Sequence, residues 1–105
     1  MQMKEVAMAF KELGHEARLG IFQHLVRAGY QGASVGEIQT ALGIPNSTLS
    51  HHIAALVKAG LLTQTREGRT LRCLPNYQKI EYLSEFLVHE CCADESQKSS
   101  QGQRR

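Results

Sequence analysis

The pattern that most limits this chain runs from Ser34 to Arg72, SVGEIQTALGIPNSTLSHHIAALVKAGLLTQTREGRTLR. Ser34 is a good N-cap for a short helix through Leu42, and Glu37 stands at capping-box spacing. Gly43 is the expected left-handed residue at its end. Pro45 and Asn46 open a second helix, capped by Asn46 or Ser47, which runs to Ala59 and stops at Gly60. Leu61 to Arg66 and Arg69 to Leu74 read as strands closed by Glu67-Gly68. Helix, turn, helix and basic hairpin, in that order, is how small proteins read the DNA major groove.

The rest of the chain frames this unit. Met3 to Leu13 carries an apolar helical stripe at Met3, Val6, Ala7, Phe10 and Leu13, ended by Gly14. His15 to Ala28 forms a second helix, with Leu19, Phe22, Leu25 and Val26 as core positions. A loop over Gly29 to Ala33 follows. Pro75-Asn76 opens a final helix from Tyr77 to Cys92, with Ile80, Leu83, Phe86 and Leu87 on one side. From Ala93 onward apolar periodicity ends, which predicts a disordered polar tail. The expected fold is mainly α with a two-stranded β-wing: one domain over residues 1–92 and a tail over 93–105. A 105-residue chain with one modest core often gains stability by oligomerising, and stripes on both terminal helices need a partner.

Charge is unevenly spread. Residues 47–76 hold Lys58, Arg66, Arg69 and Arg72 against Glu67, a balance of +3. Residues 77–95 hold Lys79 against Glu81, Glu85, Glu90, Asp94 and Glu95, a balance of −4. A basic middle suits phosphate contact, and an acidic last helix should face away from DNA; two solvated faces of any soluble protein would give the same counts. No apolar run is long enough to span a bilayer, and no signal-peptide pattern opens the chain. Three cysteines, two adjacent, do not make a disulfide framework, so a reducing, cytoplasmic setting fits. No nucleophile–base pairing, phosphate-cradling glycine motif or complete metal-ligand set marks an enzyme.

On the helix from Ser47, the spacing of Leu49, Ile53 and Leu56 turns them to the core. Ser47, Thr48, Ser50 and His51 then face outward near the N-terminal end, where such helices meet base edges, and His52 joins them as a candidate contact. Arg66 and Arg69 on the hairpin are placed for flanking phosphates or the minor groove. Each has a plainer reading: Ser47 as a cap, the histidines as solvated polar residues, the arginines as part of an exposed turn. Adjacent histidines on a helix point about 100° apart and rarely share a metal ion.

Thr48-Leu49-Ser50-His51-His52, Ala59-Gly60-Leu61-Leu62 and Arg66-Glu67-Gly68-Arg69, with Glu16-Ala17-Arg18-Leu19-Gly20-Ile21 upstream, resemble the ArsR/SmtB family of winged helix-turn-helix repressors. The resemblance covers Leu13 to Cys92. It implies four helices, a two-stranded wing and a last helix, in a homodimer joined by its first and last helices. It also implies binding to an inverted-repeat operator in double-stranded DNA, with release by an effector and no resident cofactor. The family's Cys-x-Cys metal site falls on Ser34 and Gly36, which cannot hold a soft metal. Its zinc pattern on the last helix falls on Asn76, Gln78, His89 and Cys92, and amides are poor zinc ligands.

Cys91 and Cys92 close the expected last helix. The pair resembles that of arsenic-responsive members, although no third cysteine follows, so two thiols would suit a monosubstituted trivalent arsenical. Cys73 is expected in the core. Three readings stand for the pair: a trivalent arsenic or other soft-ligand site, a thiol-redox or electrophile sensor, or no sensing role. Against high reactivity, the thiols sit at a helix C-terminus beside Glu90, Asp94 and Glu95. A protein-interaction module that uses the same fold without reading DNA is the rival of another class.

Overall fold

The computed structural model describes residues 2–95. Five helices and a three-stranded antiparallel sheet follow one another: α1 (Met3–Leu13), α2 (Glu16–Ala28), a single 3-10 turn (Gly29–Gln31), β1 (Ala33–Ser34), α3 (Val35–Leu42), α4 (Asn46–Lys58), β2 (Leu62–Glu67), β3 (Thr70–Pro75) and α5 (Tyr77–Val88). This is a winged helix-turn-helix.

The helix starts and stops follow local chemistry. Ser34 Oγ accepts from the Glu37 N–H (3.0 Å), and Glu37 Oε1 accepts from the Ser34 N–H (2.9 Å). That reciprocal box fixes the start of α3. The backbone hydrogen bond from Ser34 holds the Glu37 carboxyl below the usual carboxylate range. Gly43 is left-handed at φ 67°, which turns the chain sharply toward α4. At the far end of α4, the Gly60 N–H donates to the Val57 carbonyl and the Leu61 N–H to the Leu56 carbonyl. These close a Schellman motif with Leu56 and Leu61 both buried beneath it.

The sheet order is β1-β3-β2. Strand β1 occupies part of the loop expected over Gly29 to Ala33: Ala33 pairs with Cys73 and Ser34 with Arg72. Gly32 makes this pairing possible. At φ 64° it approaches β3 so closely that a Cβ would lie 2.1 Å from the Cys73 carbonyl oxygen. The wing is the β2–β3 hairpin, registered from Leu62 opposite Pro75 to Glu67 opposite Thr70. Its loop is therefore Gly68-Arg69, one residue later than the expected Glu67-Gly68.

The core joins Val6 and Ala9 of α1, Ile21, Phe22 and Leu25 of α2, Ile38 of α3, and Leu49, Ile53 and Leu56 of α4. Cys73 is also buried, and burial pushes its thiol pKa up. Two expected stripes face inward only in part: Val6, Phe22 and Leu25 are buried, and Phe10 and Leu13 pack against the core. Leu19 and Val26 of α2 and Met3 of α1 are exposed, while Ile21 and Ala9 take inner positions. On α5 only Leu83 is fully buried, and Leu87 and Val88 stay exposed. That helix also ends at Val88, four residues short of the expected Cys92. The expected tail lies mostly outside the described residues.

Candidate nucleic-acid interface

The outward side of α4 and the wing face one another across an open cleft. Asn46, Ser50 and Ala54 line it from α4, and Arg66, Arg69 and Thr70 from the hairpin. The cleft has a volume of about 560 Å³. Its shape follows from connectivity: the chain leaves α4 at Gly60 and pairs β2 with β3 directly, so the hairpin must project beside the helix. Leu49, Ile53 and Leu56 anchor the inner side of α4 and aim Ser50 and Ala54 into the cleft.

Ser47, Thr48, Ser50 and His51 are all exposed, on the side expected for them. The start of α4 differs. Its N-cap is Pro45, which offers no side-chain acceptor, so neither Asn46 nor Ser47 caps the helix. The hydroxyl of Ser47 and the amide of Asn46 are left for outside partners.

His52 corrects the expectation of an exposed contact. It is only 6% exposed and turns inward, because it lies three residues after Leu49 and four before Leu56, on the same helix face. Its Nδ1 accepts from Arg18 Nε (3.1 Å), and its ring packs 4.6 Å from that of His15. His52 therefore supports α4 from behind.

The wing arginines divide by partner. Arg72 Nε donates to Glu67 Oε1 (3.0 Å) and its Nη1 to the Gln31 carbonyl (3.4 Å), tying the hairpin to the turn before β1. Arg66 and Arg69 are exposed, and among the described residues no carboxylate pairs with either. Two unneutralised guanidinium groups bordering a cleft beside an uncapped helix start form a surface suited to phosphate. Asn46, Gln64 and Thr70 also line the cleft. In the sequence Asn46 reads only as a helix cap, and Gln64 carries no signal except its place on a strand.

Cys91 and Cys92 lie in turns beyond α5 and are exposed, with their Sγ atoms 3.5 Å apart. Cys92 has φ 62°, so the backbone has left the helix by this point. Of the other positions aligned with zinc ligands, Asn76 is occupied structurally. It accepts from the Lys79 N–H (3.2 Å) and donates to the Gly60 carbonyl (3.0 Å). Among the described residues no helix is long and apolar enough to cross a membrane.

Comparison with known proteins agrees with this geometry. Residues 13–65 match the family described as "Helix-turn-helix domain". The biofilm growth-associated repressor of Agrobacterium fabrum is 34% identical over 91 residues, covering 87% of this chain and 75% of that protein. The homodimeric winged helix-turn-helix DNA-binding domain Mb0332 of Mycobacterium bovis, described as a possible ArsR-family transcriptional regulator, superposes with a TM-score of 0.68. It is 25% identical, over 96% of this chain and 90% of that one. Reduced HlyU of Vibrio cholerae gives a TM-score of 0.64 at 27% identity, over 85% and 90% of the two chains. The likeness extends across the helix-turn-helix, the wing and the terminal helices, and it includes a repressor and a possible transcriptional regulator. The chain belongs to the ArsR/SmtB family of winged helix-turn-helix DNA-binding regulators.

Proposed function

We propose that two copies of the chain form a repressor that binds an inverted-repeat operator in double-stranded DNA. The N-terminal half of α4 enters the major groove through Ser47, Thr48, Ser50 and His51, while Arg66 and Arg69 meet the flanking backbone. The single observation that carries this reading is the cleft shared by α4 and the wing, bordered by two arginines with no carboxylate partner. Pairing of the chain through its terminal helices is supported by Leu87 and Val88, 67% and 61% exposed at the end of α5, and by Met3, 69% exposed on α1.

Release from DNA is assigned to oxidation or electrophile capture at Cys91 and Cys92. Two features support this. The exposed sulfurs lie 3.5 Å apart in turns, where helix geometry no longer opposes a bond between neighbours, and the related HlyU has been characterised in a form designated reduced. With a peroxide as oxidant, the two thiols lose two protons and two electrons and one S–S bond forms. The peroxide O–O bond breaks to give two waters. A trivalent organoarsenical is the second reading, favoured by the same sulfur separation: two As–S bonds would replace two As–OH bonds, releasing two waters.

The test is fluorescence anisotropy of the full chain on duplex DNA from upstream of its own gene. Hydrogen peroxide should weaken binding reversibly with dithiothreitol, and the double variant C91S/C92S should ignore it. Release by phenylarsine oxide alone would select the second reading. An equal response of wild type and double variant to both reagents would remove the cysteines from regulation.

A further inference from the structure

Behind the reading surface, three helices meet at a part-buried polar cluster. His52 of α4 accepts at Nδ1 from Arg18 Nε of α2, and Arg18 Nη1 is ion-paired with Glu12 Oε1 of α1. The Arg18 and Glu12 side chains are only 14% and 19% exposed. His15 caps α2, its Nδ1 accepting from the Ala17 N–H (3.2 Å), while its ring lies against His52. His51, on α4 itself, sits 5.8 Å from His52 between ring centroids.

The donor arithmetic fixes the protonation state. A guanidinium has no acceptor and keeps its charge throughout the accessible pH range. His52 Nδ1 must therefore offer a lone pair, which puts the ring proton on Nε2 and leaves the imidazole neutral. A proton added at Nδ1 would set two N–H donors and two positive charges face to face. The charged and titratable groups around His52 are Arg18 and His15 from α2 and its cap, His51 from α4, and Glu12 from α1 behind Arg18. Glu12 engages Nη1, so Nε remains directed at the imidazole.

We propose that Glu12, Arg18 and His52 form a positioning relay that holds α4 in its DNA-docking orientation, and that protonating His52 releases the helix and weakens operator binding. The inference rests on the DNA-binding reading above. Burial first, then His15, Arg18 and His51, hold the His52 pKa below the ordinary histidine value, so the neutral, holding state is the one present at neutral pH. His52 is thus a positioning residue: it acts on DNA through the placement of Ser50 and its neighbours, without touching DNA.

The experiment measures binding of the full chain to duplex DNA from upstream of its own gene, by anisotropy at constant ionic strength, from about pH 7.5 down to about pH 4.5, since burial moves the His52 titration below the ordinary histidine range. The variant H52N keeps an acceptor near Nδ1 and cannot titrate. Wild type should lose affinity relative to H52N by about fivefold or more as the pH falls. H15N should keep that loss, which separates His52 from the imidazole packed against it. Parallel pH profiles for wild type and H52N would overturn the relay while leaving DNA binding intact. Absence of binding at every pH would overturn the DNA-binding reading, and the relay with it. Should H52N fail to fold, NMR of the wild-type chain decides. The Arg18 Nε–H resonance and the α4 amides should shift with the same midpoint as the His52 ring, and a His52 titration that leaves them unmoved would sink the proposal.

Discussion

Helices α4 and α5 are nearly equal in length, 13 and 12 residues, yet the chain treats them differently. Helix α4 buries Leu49, His52, Ile53 and Leu56; α5 buries only Leu83. Their starts are reversed in character. The Asn76 side chain caps α5, whereas α4 begins at Pro45 with no side-chain cap. One helix is held firmly from behind and leaves its first turn open to outside groups. The other is sealed at its start and leaves apolar side chains uncovered at its end. A helix built to meet a polyanion needs the first design, since its orientation must be set inside the chain and its amides must stay available. A helix that completes its packing against another subunit needs the second.

Substitutions can break this contrast. Leu49→Ala should cost about 2–5 kcal/mol in urea or thermal unfolding, because a fully buried side chain is lost from a closed core. Leu87→Ala should cost well under that in the same assay at low protein concentration. Equal losses would mean that α5 is supported within one chain. Replacing Leu87 and Val88 together with Glu should raise the dimer dissociation constant about tenfold or more in sedimentation, while the monomer stays folded. Asn76→Ala should remove about 1 kcal/mol of stability through loss of the α5 cap. The matching change at α4, Asn46→Ala, should alter stability by less than about 0.5 kcal/mol and show its effect in DNA affinity.

The smallest predicted effect is pH-dependent. The neutral His52 contributes stability in full above the ordinary histidine range. That contribution is lost as pH falls from about 6.5 through the lower value set by burial, because the unfolded chain then binds the proton more readily. Chemical denaturation of H52N should lack this component of the acid destabilisation. A wild-type profile in that variant would place the acid sensitivity elsewhere.

Much of the contrast was legible in the sequence, for reasons that differ by element. Ser34, Glu37 and Gly43 act through bonds to residues only a few positions away, so the α3–turn–α4 unit could be read directly. Strand β1 could not. Two residues carry no periodicity, and the pairing depends on Cys73, 40 positions from Ala33. The early end of α5 has a cause in the sequence. Glu90, Asp94 and Glu95 would crowd the negative end of the helix dipole, yet residues 89–95 contain no glycine or proline to mark a stop. By residue type alone His52 reads as exposed, whereas it is 6% exposed. Its spacing from Leu49 and Leu56 marks it as inward-facing, but a histidine is buried only if a partner satisfies it, and Arg18 is 34 positions away. Of the expected DNA-facing residues, Ser47, Thr48, Ser50, His51, Arg66 and Arg69 lie on the exposed side.

The most direct test of the account is NMR chemical-shift mapping of the full chain with duplex DNA from upstream of its own gene. The account predicts that the largest shifts fall on Asn46 to Ala54 and on Arg66 to Thr70 together, with their magnitude falling as salt is raised. Shifts confined to the acidic face of α5, or to the wing without α4, would contradict it.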